Sequence, residues 1–217
     1  MNERVSFVTE DGATIVGDYY EGGGDRAALL LHMMPSTRGS WTAFANTLVA
    51  DGFSAFAIDL RGHGESTKGP NESMLDYKNF SDEEHGASIQ DIISAVKWLR
   101  EAKGMHEVSL AGASIGANLA FLYAAGDHMV RSVILLSPGL NYRGTDTLSA
   151  VDAFGDRQRF FFLASGEDEY SAASTKELFE KLNREKKVEI FHDAGHGTTI
   201  LERKPEYLKV LADWLSQ

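Results

Sequence analysis

The pentapeptide Gly112-Ala113-Ser114-Ile115-Gly116 constrains the fold of this chain more than any other feature of its sequence. The apolar run 107–111 before it predicts a short buried strand, and the run 117–125 after it predicts a helix with an apolar face. A Gly-x-Ser-x-Gly between a strand and a helix predicts the sharp turn called a nucleophile elbow. Glycines at its two ends remove side chains that would collide with neighbouring backbone, so the Ser114 hydroxyl is left at the carboxyl end of a sheet.

Composition excludes several classes of function. The 217 residues, 43% hydrophobic and 24% charged, predict one globular domain over residues 1–217. A formal net charge of −11 argues against nucleic acid or an anionic membrane surface as a partner, because both attract Lys and Arg clusters. No apolar stretch is long enough to span a bilayer, and the first residues lack the form of a signal peptide, which predicts a cytoplasmic protein. The sequence has no cysteine, so Ser114 is the best nucleophile candidate.

Strand and helix patterns alternate along the chain and predict an α/β sheet that becomes parallel after an opening hairpin. Strands are predicted at 4–10 and 14–21, which form the hairpin, and at 27–31, 54–59, 107–111, 132–136, 160–163 and 188–191. Helices are predicted at 40–50, 82–103, 117–125, 171–185 and 205–215. The segment 138–156 is predicted to be irregular. In such sheets the active site lies at the carboxyl ends of the strands.

A serine hydroxyl needs a base to act as a nucleophile, and the base needs an acid to orient it. His196 follows the last predicted strand, between Gly195 and Gly197, in a loop that leads to a helix. His192 lies within or at the end of that strand, where the pleat fixes its direction. We therefore predict His196 as the base. Without an elbow in the chain, an ordinary loop histidine would be the better interpretation.

The acid is predicted among three consecutive carboxylates that follow the strand at 160–163, namely Glu167, Asp168 and Glu169. Only one of three adjacent side chains can point at the base, and the others are expected to be solvated. Asp168 is the prediction, with Glu169 second and Glu167 third. The oxyanion formed during acyl transfer needs two N–H donors. One is predicted from Ile115, and the other from the loop His32-Met33-Met34-Pro35 after the strand at 27–31.

Several strings in the sequence resemble the α/β-hydrolase fold superfamily, and the resemblance covers nearly the whole chain. They are Leu30-Leu31-His32 with Pro35 and Trp41, Asp59-Leu-Arg-Gly-His-Gly-Glu-Ser66, Gly112-Ala-Ser-Ile-Gly116, Asp168, and Gly195-His196-Gly197. The order serine, acid and histidine is the order of the triad on that sheet. The sequence is most similar to small serine carboxylesterases and to dienelactone-hydrolase-like members. The resemblance implies a mostly parallel eight-stranded sheet with an N-terminal β-hairpin, helices on both faces, and little or no cap.

Two departures from the family pattern concern the site. Family members usually have His-Gly-x where this chain has His32-Met33-Met34. By position Met34 would give the second oxyanion N–H, with Met33 left as the alternative. Larger relatives insert a helical lid where this chain has only residues 139–156. Dienelactone hydrolases use a cysteine nucleophile, which is absent here. The resemblance implies a structural role for Asp59, Arg61 and His63, which belong to a loop beside the sheet.

The sequence thus predicts a serine hydrolase that cleaves a small-molecule carboxylic ester through an acyl-enzyme on Ser114. A thioesterase, amidase or peptidase with the same triad is the alternative, and a binding or sensor protein with little turnover is an alternative of another class. No metal or organic cofactor is implied, since His32, His63 and His106 are scattered. The oligomeric state is not predicted. Four residues near strand ends line an acyl pocket or belong to the core, with the core favoured: Met33, Met34, Trp41 and Phe154. Tyr77 or Phe80, in the loop 67–81, could reach the site.

Overall fold

The structure is a computed structural model that describes residues 2–217. Its strands are β1 (Asn2–Val8), β2 (Thr14–Tyr20), β3 (Arg26–Leu31), β4 (Ser54–Ile58), β5 (Glu107–Ala113), β6 (Ser132–Leu136), β7 (Asn141–Tyr142), β8 (Thr145–Asp146), β9 (Arg159–Ser165) and β10 (Glu185–Phe191). Its helices are α1 (Thr42–Ala50), α2 (Asp82–Gly86), α3 (Ile89–Glu101), α4 (Ile115–Gly126), α5 (Glu169–Lys181), α6 (Thr199–Arg203) and α7 (Glu206–Leu215).

Eight strands form one sheet in the order β1-β2-β4-β3-β5-β6-β9-β10. Strand β2 pairs antiparallel with β1 and with β4, and every other pairing in this sheet is parallel. The predicted fold class, a mostly parallel eight-stranded sheet that begins with a β-hairpin, is confirmed. The chain moves to one side from β3 to β4 and to the other side from β5 onward, so the order reverses between β3 and β5. Ligand sites of open α/β sheets lie at such a reversal, beyond the carboxyl ends of the strands.

The core lies on both faces of the sheet, because successive side chains of a strand point in opposite directions. Strand β9 shows this directly. Phe160 and Phe162 pack on the face covered by α3, α4 and α5, whereas Phe161 and Leu163 pack on the face covered by α1, α6 and α7. All four of these side chains are fully buried. The continuous apolar run is therefore the signature of a strand buried on both faces.

Two predicted helices differ from the structure. The helix predicted at 82–103 is two helices, α2 and α3, because Gly86 weakens the helix and the chain turns before Ile89. The helix predicted at 171–185 begins at Glu169, where Asp168 caps it. Its last four predicted residues lie outside it, since β10 already begins at Glu185. The pairing of β10 with β9 stabilises an extended backbone from Glu185 onward, although the sequence pattern there is helical.

The segment between β6 and β9 holds only the hairpin of β7 and β8 and a turn of 3-10 helix at Leu148–Ala150. No cap domain is formed between these strands. The carboxyl ends of β3, β5, β9 and β10 therefore meet at an edge that is bordered by loops and by the β7–β8 hairpin. No helix within residues 2–217 is long and apolar enough to cross a membrane.

Candidate active site

The turn after β5 is as sharp as the glycine pattern predicts. A Cβ atom on Gly112 would lie 2.2 Å from the carbonyl oxygen of Gly116. One on Gly116 would lie 2.5 Å from the carbonyl oxygen of Leu31 and 2.6 Å from that of His32. Both contacts are with backbone, which cannot move aside as the end of a side chain can. Glycine at these two positions therefore lets the elbow sit directly against the end of β3.

Ser114, at the tip of the elbow, has φ 53° and ψ −120°. A positive φ is uncommon for a residue with a side chain and indicates local backbone strain, which clusters at functional sites. The Ser114 N–H donates to the carbonyl of Leu136 at 2.8 Å, and the Ser114 carbonyl accepts from Ala117 and Asn118 of α4. The strained residue is therefore held by the backbone on both sides.

The N–H of Ile115, the first residue of α4, donates to no acceptor within residues 2–217. It is one of the free N–H groups that every helix leaves at its start, and the helix dipole adds partial positive charge there. This N–H lies next to Ser114 in the chain. It is available to an oxygen that carries negative charge at the reacting carbon.

Asp168 and His196 are brought together from two different loops. Asp168 Oδ2 lies 2.5 Å from His196 Nδ1. Burial raises the pKa of Asp168, but hydrogen bonds from His196 and Ser171 outweigh it and hold the pKa below its usual value. The carboxylate is thus ionised near neutral pH. Because it faces Nδ1, it keeps the imidazole proton on that nitrogen and leaves Nε2 free to accept another.

The other candidates for acid and base lie elsewhere. Glu167 is exposed, accepts a hydrogen bond from the Gly195 N–H and forms an ion pair with Arg203, so it braces the histidine loop from outside. Glu169 is exposed on the first turn of α5, and His192 is exposed after β10. Within residues 2–217, Asp168 is the carboxylate that pairs with His196.

Ser114 and His196 share no hydrogen bond in this structure, although both lie at the same sheet edge. The imidazole loop is anchored instead to Ser137, whose Oγ accepts from the Gly197 N–H at 2.9 Å. Ser137, with φ 51°, follows β6, the strand between β5 and β9. The loop that carries His196 is therefore attached to the end of β6, next to the strand that leads into the elbow. The His196 side chain remains 38% exposed.

The second predicted oxyanion donor lies in the loop after β3. The Met33 carbonyl accepts from the Ser36 N–H, which closes a turn, and from His32 Nδ1, both at 2.9 Å. The N–H groups of Met33 and Met34 donate to no acceptor within residues 2–217. Both therefore stay available as donors. The Met33 side chain packs against Gly197 of the histidine loop, whereas Met34 faces away into a cleft.

This cleft of about 330 Å³ begins at the loop after β3 and is lined by Met34, Pro35, Tyr77, Lys78, Phe80, His85 and Arg143. The loop 67–81 thus borders the site, with both Tyr77 and Phe80 in the wall. Trp41 and Phe154, in contrast, are fully or almost fully buried in the core. The cleft is partly aromatic and carries two cationic side chains on its wall.

Asp59, Arg61 and His63 are engaged in the structure of their own loop. Asp59 accepts from the Arg38 N–H at 2.8 Å and from the Glu65 N–H at 2.9 Å, and it forms an ion pair with the Arg38 guanidinium. His63 stacks on Tyr77 with their ring centres 3.9 Å apart. These contacts agree with the structural role implied by the resemblance.

Tyr142 and Ser171 are two residues at the site that the sequence pattern did not indicate. The Tyr142 hydroxyl lies 2.8 Å from Ser171 Oγ, and Ser171 Oγ lies 3.5 Å from His196 Nδ1. Tyr142 belongs to a segment that was predicted to be irregular, and it matches no motif. Only the folded position of the β7–β8 hairpin reveals it.

Comparison with solved structures supports the same architecture. The Pyrococcus furiosus esterase Pf2001 superposes with a TM-score of 0.80 at 18% identity, covering 100% of this chain and 92% of the esterase. Dienelactone hydrolase from Anabaena variabilis gives 0.77 at 20% identity, covering 100% and 95%. An alpha-beta serine hydrolase homologue from Coxiella burnetii gives 0.75 at 18% identity, covering 99% and 98%. At these identities the likeness concerns the fold.

Comparison of the sequence itself gives a family. No curated protein sequence matches the chain. The family model described as the alpha/beta hydrolase fold matches residues 28–153, which contain most of β3, the elbow and the hairpin that carries Tyr142. This match covers more than half of the chain, so the chain belongs to the alpha/beta hydrolase fold family.

Proposed function

We propose that this protein is a serine hydrolase that cleaves carboxylic esters through an acyl-enzyme on Ser114. The observation that carries the proposal is the Asp168–His196 pair at 2.5 Å, on the same sheet edge as a serine in a strained elbow. Membership of the alpha/beta hydrolase fold family supports hydrolysis as the class of reaction. The names of the esterase and the dienelactone hydrolase of similar fold support an ester or lactone as the bond.

The first chemical step is attack by Ser114 Oγ on the acyl carbon. Because Nδ1 of His196 holds its proton toward Asp168, Nε2 is the nitrogen that takes the proton from Ser114. The imidazolium that results is stabilised by the ionised carboxylate of Asp168. Its Nε2 proton then goes to the leaving alkoxide oxygen, and the C–O bond of the ester breaks. A substrate must bring Ser114 and His196 into hydrogen-bond contact, since such contacts tighten in the substrate complex.

The negative charge on the tetrahedral intermediate needs donors that are already in place. The N–H of Ile115, which has no acceptor within residues 2–217, supplies one. The N–H of Met34, which also has no acceptor within that range, supplies the other in this proposal. Two such donors each contribute roughly 3 kcal/mol to lowering the barrier. Water, deprotonated by His196, then attacks the acyl-enzyme, and the acid is released with Ser114 regenerated.

The first experiment is intact-mass analysis after incubation with a fluorophosphonate, followed by hydrolysis of p-nitrophenyl acetate and butyrate. The wild type is expected to gain one adduct and to hydrolyse the esters. Ser114→Ala is expected to gain none and to lose at least about 1,000-fold in kcat/KM. Ser73→Ala, which removes an exposed serine from the loop 67–81, is the matched control and should behave as wild type.

A panel of acyl esters, thioesters and amides then decides which bond is cleaved, because the triad itself does not select the leaving group. A folded wild type that neither gains an adduct nor hydrolyses any member of the panel would contradict the proposal. A binding or sensor function would then be the better interpretation of this site.

A further inference from the structure

Tyr142 lies over the active site although no motif marks it. Its aromatic ring meets the His196 ring edge to face, with centres 6.3 Å apart and planes at 87°. It also meets Tyr170 of α5 edge to face at 5.4 Å. A Cβ on Gly139 would lie 2.6 Å from the Tyr142 ring, so the backbone beneath it leaves room for the ring. The ring therefore has a defined place against the imidazole.

The hairpin that carries Tyr142 is fixed on both sides. The Tyr170 hydroxyl accepts from the Asn141 N–H and donates to the Asn141 carbonyl, both at 3.0 Å. Asn118 of α4 donates to the Thr145 carbonyl at 2.9 Å and accepts from the Gly139 N–H at 3.0 Å. Asn118 is fully buried one turn after the elbow. The hairpin is thus tied to the same helix that follows Ser114.

The Tyr142 hydroxyl is connected to Asp168 and His196 through one residue, Ser171. It lies 2.8 Å from Ser171 Oγ, and Ser171 is fully buried at the start of α5. The Ser171 N–H donates to Asp168 Oδ1 at 3.4 Å, and Ser171 Oγ is 3.5 Å from His196 Nδ1. The Ser171 side chain is also one of the groups that lower the pKa of Asp168. Ser171 therefore touches both members of the pair.

The phenol keeps its proton under all ordinary conditions. Burial raises the pKa of Tyr142 to about 12, although hydrogen bonding with Ser171 and Ser114 opposes the shift. The protonated hydroxyl can donate to Ser171 Oγ at 2.8 Å, which is closer than its other acceptor, the Ser137 carbonyl at 3.4 Å. Ser171 Oγ in turn lies against His196 Nδ1. Hydrogen bonds in such a chain polarise and align one another.

We propose that Tyr142 and Ser171 are positioning residues that hold the Asp168–His196 pair in its reactive orientation. Tyr142 fixes the imidazole through its ring and, through the hydroxyl chain Tyr142–Ser171, holds Ser171 Oγ against His196 Nδ1 at the point where the imidazole meets Asp168. Neither residue exchanges a proton with substrate, so their effect falls on the chemical step and not on binding. This inference rests on the proposed function, since it assigns the hydroxyl chain to the base of that reaction.

The kinetic test is a double-mutant cycle of Tyr142→Phe and Ser171→Ala, measured with p-nitrophenyl acetate. Each single variant is expected to lower kcat about 10-fold with KM changed less than about 2-fold. Because both act through one chain, the double variant should also lose about 10-fold and not about 100-fold. Ser171→Thr, which keeps a hydroxyl, should recover most of the rate. Additive losses, or a loss confined to KM, would overturn the proposal.

The spectroscopic test needs no turnover and separates this inference from the proposed function. A proton held between imidazole Nδ1 and a carboxylate gives a low-field resonance in proton NMR. That resonance is expected in the wild type and in Ser114→Ala, and is expected to move or broaden in Tyr142→Phe and Ser171→Ala. Tyr123→Phe is the control, because Tyr123 gives a hydroxyl hydrogen bond to Asp127 at 2.9 Å away from the site. An unchanged resonance in Tyr142→Phe would overturn the proposal even if the protein proved not to be an esterase.

Discussion

Two clusters of charged side chains lie near the carboxyl edge of the sheet, and they are built in opposite ways. One joins Asp59 to Arg38 and Arg61 to Asp91, with the carboxylates of both acids fully buried. Arg61 donates to Asp91 from its backbone at 2.8 Å and from its side chain at 2.9 Å, and it forms a second ion pair with Asp11. Every charged group in this cluster makes more than one hydrogen bond.

The other cluster is the Asp168–His196 pair, and it leaves groups unused. His196 Nε2 has no partner within residues 2–217, and its side chain is 38% exposed. The neighbouring N–H of Ile115 is also unpaired within the described residues. Charged groups whose hydrogen bonds are all satisfied hold a loop in one conformation, whereas polar groups with unused hydrogen-bonding capacity can bind and react. The degree of hydrogen-bond saturation distinguishes the structural cluster from the candidate catalytic one.

The largest expected effect that tests this comparison is the loss of activity on substitution of His196. We expect His196→Ala to lower kcat/KM for p-nitrophenyl acetate by at least about 1,000-fold, because the base is lost. The free energy of unfolding should change by less than about 1 kcal/mol, since a partly exposed hydrogen-bonded pair contributes little. Steady-state kinetics and urea titration measure the two quantities. His192→Ala, an exposed histidine after the same strand, should match wild type in both, and the reverse result would refute the assignment.

Removal of a charge from the saturated cluster should have the opposite effect. Arg61→Met leaves Asp91 buried without its cation, which is expected to lower the free energy of unfolding by about 3 kcal/mol at pH 7.5. Activity per folded molecule should remain close to that of wild type. Urea unfolding is the measurement, and Lys209→Met, which removes an exposed lysine paired with Asp51 and Asp213, should change stability by less than about 0.5 kcal/mol. Equal losses from the two variants would contradict the distinction.

His32 joins the two regions and gives the smallest of these effects. Its Nδ1–H donates to the Met33 carbonyl in the loop after β3, and its Nε2 accepts from the Leu60 N–H at 3.0 Å. Burial, with His63 nearby, lowers the pKa of His32 from 6.5 to about 4. As pH falls below 6.5 the unfolded chain takes up this proton first. The stability contributed by neutral His32 is therefore complete above pH 6.5 and is lost as pH falls toward 4.

We expect the wild type to lose on the order of 2 kcal/mol more unfolding free energy than His32→Gln between pH 7.5 and pH 4.5. Glutamine can still accept from Leu60 but does not titrate. Urea titrations at the two pH values measure the difference. His106→Gln, at an exposed histidine, is the matched control and should keep the wild-type pH dependence. If the free energy of unfolding changed with pH equally in wild type and in His32→Gln, neutral His32 would not stabilise the contact between the two regions.

Local patterns were enough to predict the fold and most of the elements. The run Phe160–Leu163 predicted a strand buried on both faces, because a continuous apolar sequence cannot place one side in water. The glycines of the elbow predicted that backbone segments approach each other closely there. The structure agrees, because a Cβ would lie 2.2 Å from a backbone oxygen at Gly112 and 2.5 Å from one at Gly116. The break between α2 and α3 was missed, because helical periodicity continues through Gly86 while the tertiary contacts on either side differ.

The sequence by itself determined the sheet, the elbow, and the order of Ser114, Asp168 and His196, because each depends on residue types close together in the chain. It narrowed the acid to three adjacent carboxylates, but only the tertiary structure decided which of them faces His196. The same is true of Tyr142, which reaches Ser171 and the imidazole across 29 and 54 positions of the chain. Such contacts depend on how hairpins and helices pack. No local pattern of residues encodes that packing.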